Sequence, residues 1–370
     1  MTSCDLVLCV SVGPGEVLGV LDILDAARAY LDGRYRVIIV DDSGGSSLWW
    51  RVRAYDEVDY LRNWKRRGFR HLVRSIQKAY GHVLSRYDCA AVLKLDTDAI
   101  ITGPGLSSDI LAYLGAHPKV GMLGAVSATE SDRAHWQARL EANIDHWRAL
   151  VAEAGRWGYR LGESALGGAY ALSRPCLEAI GRAGYLSRHP QGERIAEDVT
   201  FSLFVRSLGY EIHEFGGREQ PLALAWRGLP MAKEEVIARQ KKVVHSVKFQ
   251  IHDLRVRGYF ERIRRQRMRR IEAAADGRST RRALPTPAGV RRLRVGLLCR
   301  RLAVAAVGAG RLSRARCLLR RASAVGGWQP ATWCLLTLCL FPRGIPRVLL
   351  GLGRQGRRFM QRLATRERPA

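Results

Sequence analysis

Leu6-Val7-Leu8-Cys9-Val10-Ser11-Val12, closed by Gly13-Pro14-Gly15, is a short apolar run with a turn signal behind it, the pattern of a buried strand. Outward from it, Glu16 to Leu31 carries Val17, Val20, Leu21, Leu24 and Ala27 at helical spacing, and Asp32-Gly33 ends the repeat. Tyr35 to Val40 is a second β-rich run, followed by Asp41-Asp42-Ser43-Gly44-Gly45. Strand, helix and strand within forty-odd residues make a βαβ unit, which requires a parallel sheet covered by helices.

The pattern continues. Phe69 to Leu84 reads as a helix and Cys89 to Leu95 as an apolar strand. Ser108 to Leu114 reads as a short helix, Val120 to Val126 as a strand, and Asp132 to Gly155 as a Trp-bearing helical stretch. Leu166 to Leu172 is a glycine-led strand. Ser173 with Pro175 then starts a helix, an N-cap and first-turn pairing. Glu197-Asp198 opens a helix running to Leu208 and ended by Gly209. Tyr210 to Phe215, Leu222 to Trp226 and Val243 to Lys248 read as short strands.

At the end of the apolar run Cys89 to Leu95 stands Asp96-Thr97-Asp98. Two carboxylates two residues apart at the tip of a buried strand are costly unless neutralised. A divalent cation does this, and Mg²⁺ and Mn²⁺ prefer oxygen ligands. The turn is therefore either a solvated strand end or a metal site serving a nucleotide diphosphate. Ligands in open α/β sheets bind beyond the carboxyl ends of the strands, so Asp41, Asp42, Asp96 and Asp98 are expected at one crevice.

Other motifs carry paired readings. Asp41-Asp42 caps a turn, or accepts hydrogen bonds from a uracil-like base or a ribose hydroxyl. Gly167-Gly168 is a bulge, or a place where a substrate approaches the backbone. Glu197-Asp198 suits a helix N-terminus, or supplies a general base. His245 is a packed core histidine, or a metal ligand through one ring nitrogen, with Lys248 beside a phosphate.

Together these residues resemble glycosyltransferases of the GT-A fold. Val40-Asp41-Asp42-Ser43-Gly44 is similar to the second-strand end of family 2 glycosyltransferases. Gly167 to Ser173 and Glu197-Asp198-Val199 are similar to the Fringe and β-1,3-galactosyltransferase group. The likeness covers roughly residues 5–250. It implies a GT-A-like, mostly parallel sheet flanked by helices. It implies Mn²⁺ or Mg²⁺ on Asp96, Asp98 and His245, and a nucleotide sugar, UDP-linked, as co-substrate. Asp41, Asp42, Asp96, Gly167, Gly168 and Lys248 would bind that donor. Asp198 would act as the base of an inverting transfer, with Glu197 on the acceptor or the sugar. The acceptor is a saccharide, a lipid-linked group or a protein. Two family 2 features are missing: the Pro-x-Tyr-Asn turn after the first strand, and a Gln-x-x-Arg-Trp run after the acid pair, which disfavours processive synthases. A nucleotidyltransferase would show a basic glycine-rich loop after the first strand, where Gly13-Pro14-Gly15-Glu16 has no base. A non-catalytic, anionic-surface-binding protein with a degenerate GT-A body is the remaining alternative.

Charge divides the chain. The net charge is +27. From Arg255 onward there are 29 Arg, no Lys and four acids, whereas the first 254 residues hold 32 bases and 30 acids. Residues 1–254 are thus expected to form the catalytic domain, and 255–370 an Arg-rich helical region. Basic amphipathic helices are expected at Val290–Val307 and Leu312–Ala324, and apolar runs stand at Ala331–Phe341 and Ile345–Leu352. Arginine interleaved with apolar residues suits an anionic membrane surface. No nucleic-acid module is visible. No run reaches the length of a membrane span. The eight cysteines show no metal-ligand spacing and suit a reducing compartment. The expected location is the cytoplasm, peripheral at the inner face of the membrane.

Overall fold

The computed structural model describes residues 1–44, 48–53, 55–63, 72–126, 130–187, 195–248 and 251–275, with Cys299, Ala303, Ala315, Leu318 and Leu319 beyond them. In chain order the elements are β1 (Thr2–Ser3), β2 (Leu6–Val12), α1 (Val17–Tyr30), β3 (Tyr35–Asp41), α2 (Trp49–Val52), β4 (Val58–Arg62), α3 (Leu72–Arg86) and β5 (Tyr87–Asp88). There follow β6 (Ala91–Leu95), β7 (Ile100–Ile101), α4 (Leu106–Ala116), β8 (Val120–Val126), α5 (Glu130–Glu141), α6 (Ile144–Arg156), β9 (Ala165–Ser173) and α7 (Arg174–Arg182). The remainder are α8 (Glu197–Ser207), β10 (Glu211–Glu214), β11 (Leu222–Leu224), α9 (Lys233–Ala238), β12 (Val243–His245) and α10 (Ile251–Ala275).

Seven strands form the main sheet in the order β10-β8-β9-β6-β2-β3-β4. The βαβ unit is present: β2 pairs parallel to β3 and to β6, and β3 pairs parallel to β4. Only β9 runs against its neighbours, antiparallel to both β6 and β8. The expected α/β class with a mostly parallel sheet is therefore observed. Strand β9 brings Gly167 and Gly168 alongside the end of β6, and the Asp96 amide donates to the Gly168 carbonyl at 3.0 Å.

The alternation of strand side chains builds two cores. Leu6, Leu8, Val10, Val37, Ile39, Leu93 and Leu95 pack with Val20, Ile23 and Leu24 of α1. Val7, Cys9, Ile38, Val40 and Val92 face the other way, onto Ile76, Tyr80 and Val83 of α3 and Phe201 of α8. Strands covered on both faces read as continuous apolar runs, which is why β2 was legible. Each fully buried Leu or Ile contributes about 1.5–3 kcal/mol.

A second sheet, β11-β12-β7, lies beyond the Asp-Thr-Asp turn, with β12 antiparallel to β7. It delivers His245, at the end of β12, to that turn. A third apolar cluster joins Ile100, Val236, Val244, Val247 and Phe260.

Three details differ from the sequence reading. Asp132 to Gly155 falls in two helices, broken at Ala142-Asn143, where Asn143 Nδ2 donates back to the Arg139 carbonyl at 2.8 Å. The edge strand β4 falls in a segment whose alternating Val-Asp-Tyr-Leu-Arg was not read as a strand. Val243 to Lys248 is a strand only as far as His245.

The chain divides into two compact units, Met1–Lys248 with Val256–Ala273, and Phe249–Arg255 with Ala274–Ala370. The expected boundary at residue 254 lies within α10. In the second unit Cys299, Ala303, Ala315 and Leu319 are buried. The amphipathic helices and apolar runs expected in the tail otherwise lie outside the described residues. No helix among the described residues is long and apolar enough to cross a membrane.

Candidate active site

The tip of β6 is the centre of the site. Lys94 is wholly buried on that strand. Its ammonium donates to Asp96 Oδ1 at 2.6 Å, to Glu197 Oε1 at 2.8 Å, and to the Gly167 carbonyl. A buried amine survives in such a place only when paired. Burial alone would lower its pKa, and the charges of Asp96 and Glu197 overcome this and raise it. Lys94 was not singled out from the sequence. The signal was available: one lysine inside Cys89-Ala90-Ala91-Val92-Leu93-Lys94-Leu95 has to find an acid.

Asp96, Asp98 and His245 converge, with one ligand atom from each lying within 4.8 Å of the others. His245 Nε2 stands 3.0 Å from Asp98 Oδ1 and 3.9 Å from Asp96 Oδ2. Its Nδ1 lies 2.9 Å from the Ala225 carbonyl, which can only accept. Nδ1 therefore carries the proton, and in the neutral ring the Nε2 lone pair faces the two carboxylates. Ser246 Oγ donates to Asp98 Oδ2 at 3.0 Å, and the Val247 amide donates to the Asp98 carbonyl at 2.8 Å.

The local charge is unbalanced. Of the four carboxylates in this region, those of Asp96, Asp98, Glu197 and Asp198, two pair with the buried ammonium: Asp96 and Glu197. Burial pushes Asp96 upward, with Lys94 opposing and Glu197 adding to the rise. Burial also acts to raise Asp98, but the hydrogen bond and charge of His245 prevail and hold it at about 2. Two carboxylates and an imidazole are a donor set that could hold a divalent cation. Lys248 is exposed two residues beyond Ser246, and its charge contributes to lowering Asp98.

Glu197 and Asp198 occupy the first turn of α8, and both are buried. Asp198 accepts from the Gly167 amide at Oδ2 and from the Val199 amide at Oδ1, each at 2.9 Å. Burial, then the neighbouring Glu197 charge, pushes its pKa up to about 7. The glycine pair has a steric cause. A Cβ on Gly167 would lie 2.5 Å from Glu197 Oε1, and one on Gly168 would lie 2.3 Å from His245 Cγ. The missing side chains leave room for the acid pair and the imidazole of this chain.

Asp41 and Asp42 close β3 and are buried. Asp41 accepts from the Ser43 amide at 2.7 Å and from Tyr60 Oη, and Asp42 accepts from Asn63 Nδ2 at 2.5 Å and from Ser75 Oγ. Each of their four oxygens thus has a donor within the chain, and together they brace the strand end. In the first βα turn the Gly13 amide donates to Glu16 Oε2 at 2.7 Å, so a carboxylate occupies the place of a phosphate-binding loop.

An aromatic pair flanks this region. Trp136 of α5 and Trp226 are stacked with ring centroids 5.9 Å apart, and Trp226 is half exposed. Trp226 directly follows Ala225, whose backbone exchanges hydrogen bonds with both the ring and the carbonyl of His245.

Solved structures similar to this chain are glycosyltransferases. One is the WbbM bifunctional glycosyltransferase in its apo form, 10% identical, covering 66% of this chain and 46% of that one, with a TM-score of 0.38. This chain thus spans under half the length of WbbM. Another is mouse xyloside xylosyltransferase 1 in its apo form, 10% identical, covering 66% and 98% of the two chains, with a TM-score of 0.37. No protein-family model matches the sequence, and no curated protein matches it.

Proposed function

We infer that the chain transfers a sugar from a nucleotide-sugar donor to a hydroxyl acceptor, with a divalent cation held by Asp96, Asp98 and His245. One observation carries this reading. Lys94 bridges Asp96 to Glu197, so the cation turn and the acid pair, about a hundred residues apart in sequence, meet on one buried ammonium. A structural ion pair would need only one of these acids. The surplus carboxylates are accounted for by a cation on one side and a proton-accepting group on the other.

Mn²⁺ or Mg²⁺ bound there would act as a Lewis acid, offsetting charge on the leaving diphosphate. Asp98, which accepts from Ser246 Oγ, would supply an anionic oxygen to that cation. Lys248 projects from the same segment and suits a phosphate oxygen. Asp198 removes the proton from the acceptor hydroxyl. Its raised pKa places it where a general base is most effective near neutral pH. Lys94 keeps Glu197 oriented, and Glu197 binds the acceptor or the transferred sugar. With Asp198 as the base, the reaction proposed is a single displacement with inversion. Asp41 and Asp42 would serve the donor indirectly, by bracing the end of β3. The exposed Trp226 face offers an apolar surface to a sugar ring. UDP-sugars are the first donors to test.

The exposed arginines of α10, Arg262, Arg267, Arg269 and Arg270, support association with an anionic lipid surface. Calorimetry with UDP-, GDP- and dTDP-sugars, with and without Mn²⁺, tests the donor reading. Mn²⁺-dependent binding of one nucleotide class is expected. Absence of binding across the panel contradicts it and favours the non-catalytic alternative.

A further inference from the structure

Arg257 is a buried arginine of α10, on the helix face it shares with Phe260 and Arg264, at the i, i+3, i+7 spacing of one stripe. Its Nη1 donates to Asp22 Oδ2 of α1 at 2.8 Å. Its Nη2 donates to the Thr97 carbonyl at 3.2 Å and to the Val247 carbonyl, and its Nε donates to the Val247 carbonyl at 3.0 Å and to that of Lys248 at 3.4 Å. Thr97 lies between Asp96 and Asp98. Val247 lies two residues after His245. One planar guanidinium thus ties together the two segments that carry the candidate cation ligands.

The surroundings leave this fork little freedom. Gly19 of α1 lies against the same turn, and a Cβ there would stand 2.1 Å from the Thr97 carbonyl oxygen. The turn is pressed between α1 and the arginine. Arg264, two helical turns on, stands 3.6 Å from Asp22 and 3.9 Å from Asp25. It latches α10 to α1 without a hydrogen bond to either ligand-bearing segment.

We propose that Arg257 is the positioning residue of the cation centre, setting the distance between the Asp96/Asp98 carboxylates and the His245 imidazole by holding the Thr97 and Val247 carbonyls. This rests on the reading of those three residues as a cation site. Arg257 reaches these two segments at the backbone carbonyls of Thr97, Val247 and Lys248. It acts through backbone, as outer-shell groups do at metal centres, where their loss typically costs about 10–100-fold in affinity. Helix α10, which begins the Arg-rich part of the sequence, thereby becomes part of the catalytic body's chemistry.

The test is Mn²⁺ titration of the full chain followed by electron paramagnetic resonance, with Mn²⁺ alone and with Mn²⁺ plus UDP. Arg257→Gln, Arg257→Lys and Arg264→Gln are compared with wild type, and the thermal midpoint of each is recorded. Arg257→Gln is expected to bind Mn²⁺ at least about tenfold more weakly and to change the spectrum of the bound ion. Arg257→Lys keeps the charge opposite Asp22 but cannot span both carbonyls, so it is also expected to lose affinity. It covers the case in which the glutamine variant does not fold. Arg264→Gln is expected to lower the midpoint and keep Mn²⁺ affinity. Wild-type affinity in folded Arg257 variants, or an equal loss in Arg264→Gln, overturns the positioning role alone. A wild-type protein that binds no Mn²⁺ under either condition overturns the site reading, and this inference with it.

Discussion

Lys94 Nζ and Glu197 Oε1 meet at 2.8 Å inside the protein, joining the central strand β6 to the first turn of α8. The contact is dry on both sides. Removing one partner of such a pair leaves an uncompensated buried charge, at a cost of about 3–5 kcal/mol. Lys94→Met is therefore expected to lower stability by about that amount at pH 8, measured by denaturant unfolding. The loss should shrink at pH 5, where Asp96, its pKa raised to about 6 by burial, takes up a proton and one unpaired charge is removed. A pH-independent loss would mean that packing, not charge, is what Lys94 supplies.

Gly168→Ala tests how the imidazole is placed. The new Cβ would stand 2.3 Å from His245 Cγ, an impossible contact, so the ring must move away from Asp98. Mn²⁺ affinity is expected to fall more than about tenfold, as for loss of a metal-positioning contact. Gly167→Ala would place its Cβ 2.5 Å from Glu197 Oε1 and 3.2 Å from Asp198 Oδ2, so the acid pair must give way while His245 is left in place. It should lower turnover and spare Mn²⁺ binding. Calorimetric Mn²⁺ titrations of both variants separate the two outcomes.

Asp198 sets a pH dependence with a definite sign. Its folded pKa of about 7 lies above the usual 3.8, so its protonated form favours the fold. That contribution is complete below pH 4 and is lost as pH rises through 7. Asp198→Asn should accordingly gain thermal stability relative to wild type between pH 4 and 8, as followed by calorimetry. For catalysis the need is reversed, because the base must be ionised. The wild-type kcat/KM is expected to climb with pH to a limb near 7, and Asp198→Asn to lose about 10²–10⁴ in kcat. An inverted product should form, read by NMR of the new anomeric centre. Retention would remove Asp198 from the role of base.

Trp226→Ala probes the aromatic pair. The stacked partner Trp136 and the exposed indole face predict a raised acceptor KM with donor KM and Mn²⁺ affinity unchanged. A raised donor KM alone would move the indole to the donor side.

The sequence was readable where burial wrote a pattern. Leu6–Val12 and Tyr35–Asp41 are covered on both faces, so their apolar runs announced the parallel unit and its acidic strand ends. Asp96, Asp98, Glu197, Asp198 and His245 were each visible as types in suggestive places. What joins them was not. Lys94 passed as one polar letter in an apolar run, because its acids lie two and about a hundred residues away. The antiparallel sense of β9 is a tertiary property that local propensity does not encode. The glycine pair reads as a bulge or as an approach for substrate, and no local pattern foretells that Glu197 and His245 stand against it. Arg257 counts within the basic tail by sequence, although its partners include Asp22 and the carbonyls of Thr97, Val247 and Lys248.

The central claim is metal-dependent turnover of a nucleotide sugar at the Asp96, Asp98 and His245 cluster. The most direct measurement is nucleoside diphosphate release from a panel of UDP-, GDP- and dTDP-sugars, with Mn²⁺ or with chelator, for wild type and Asp98→Ala. Release from one donor class, dependent on Mn²⁺ and abolished in a folded Asp98→Ala variant, is the predicted result. Equal release by the variant, or release that persists in chelator, would contradict the account.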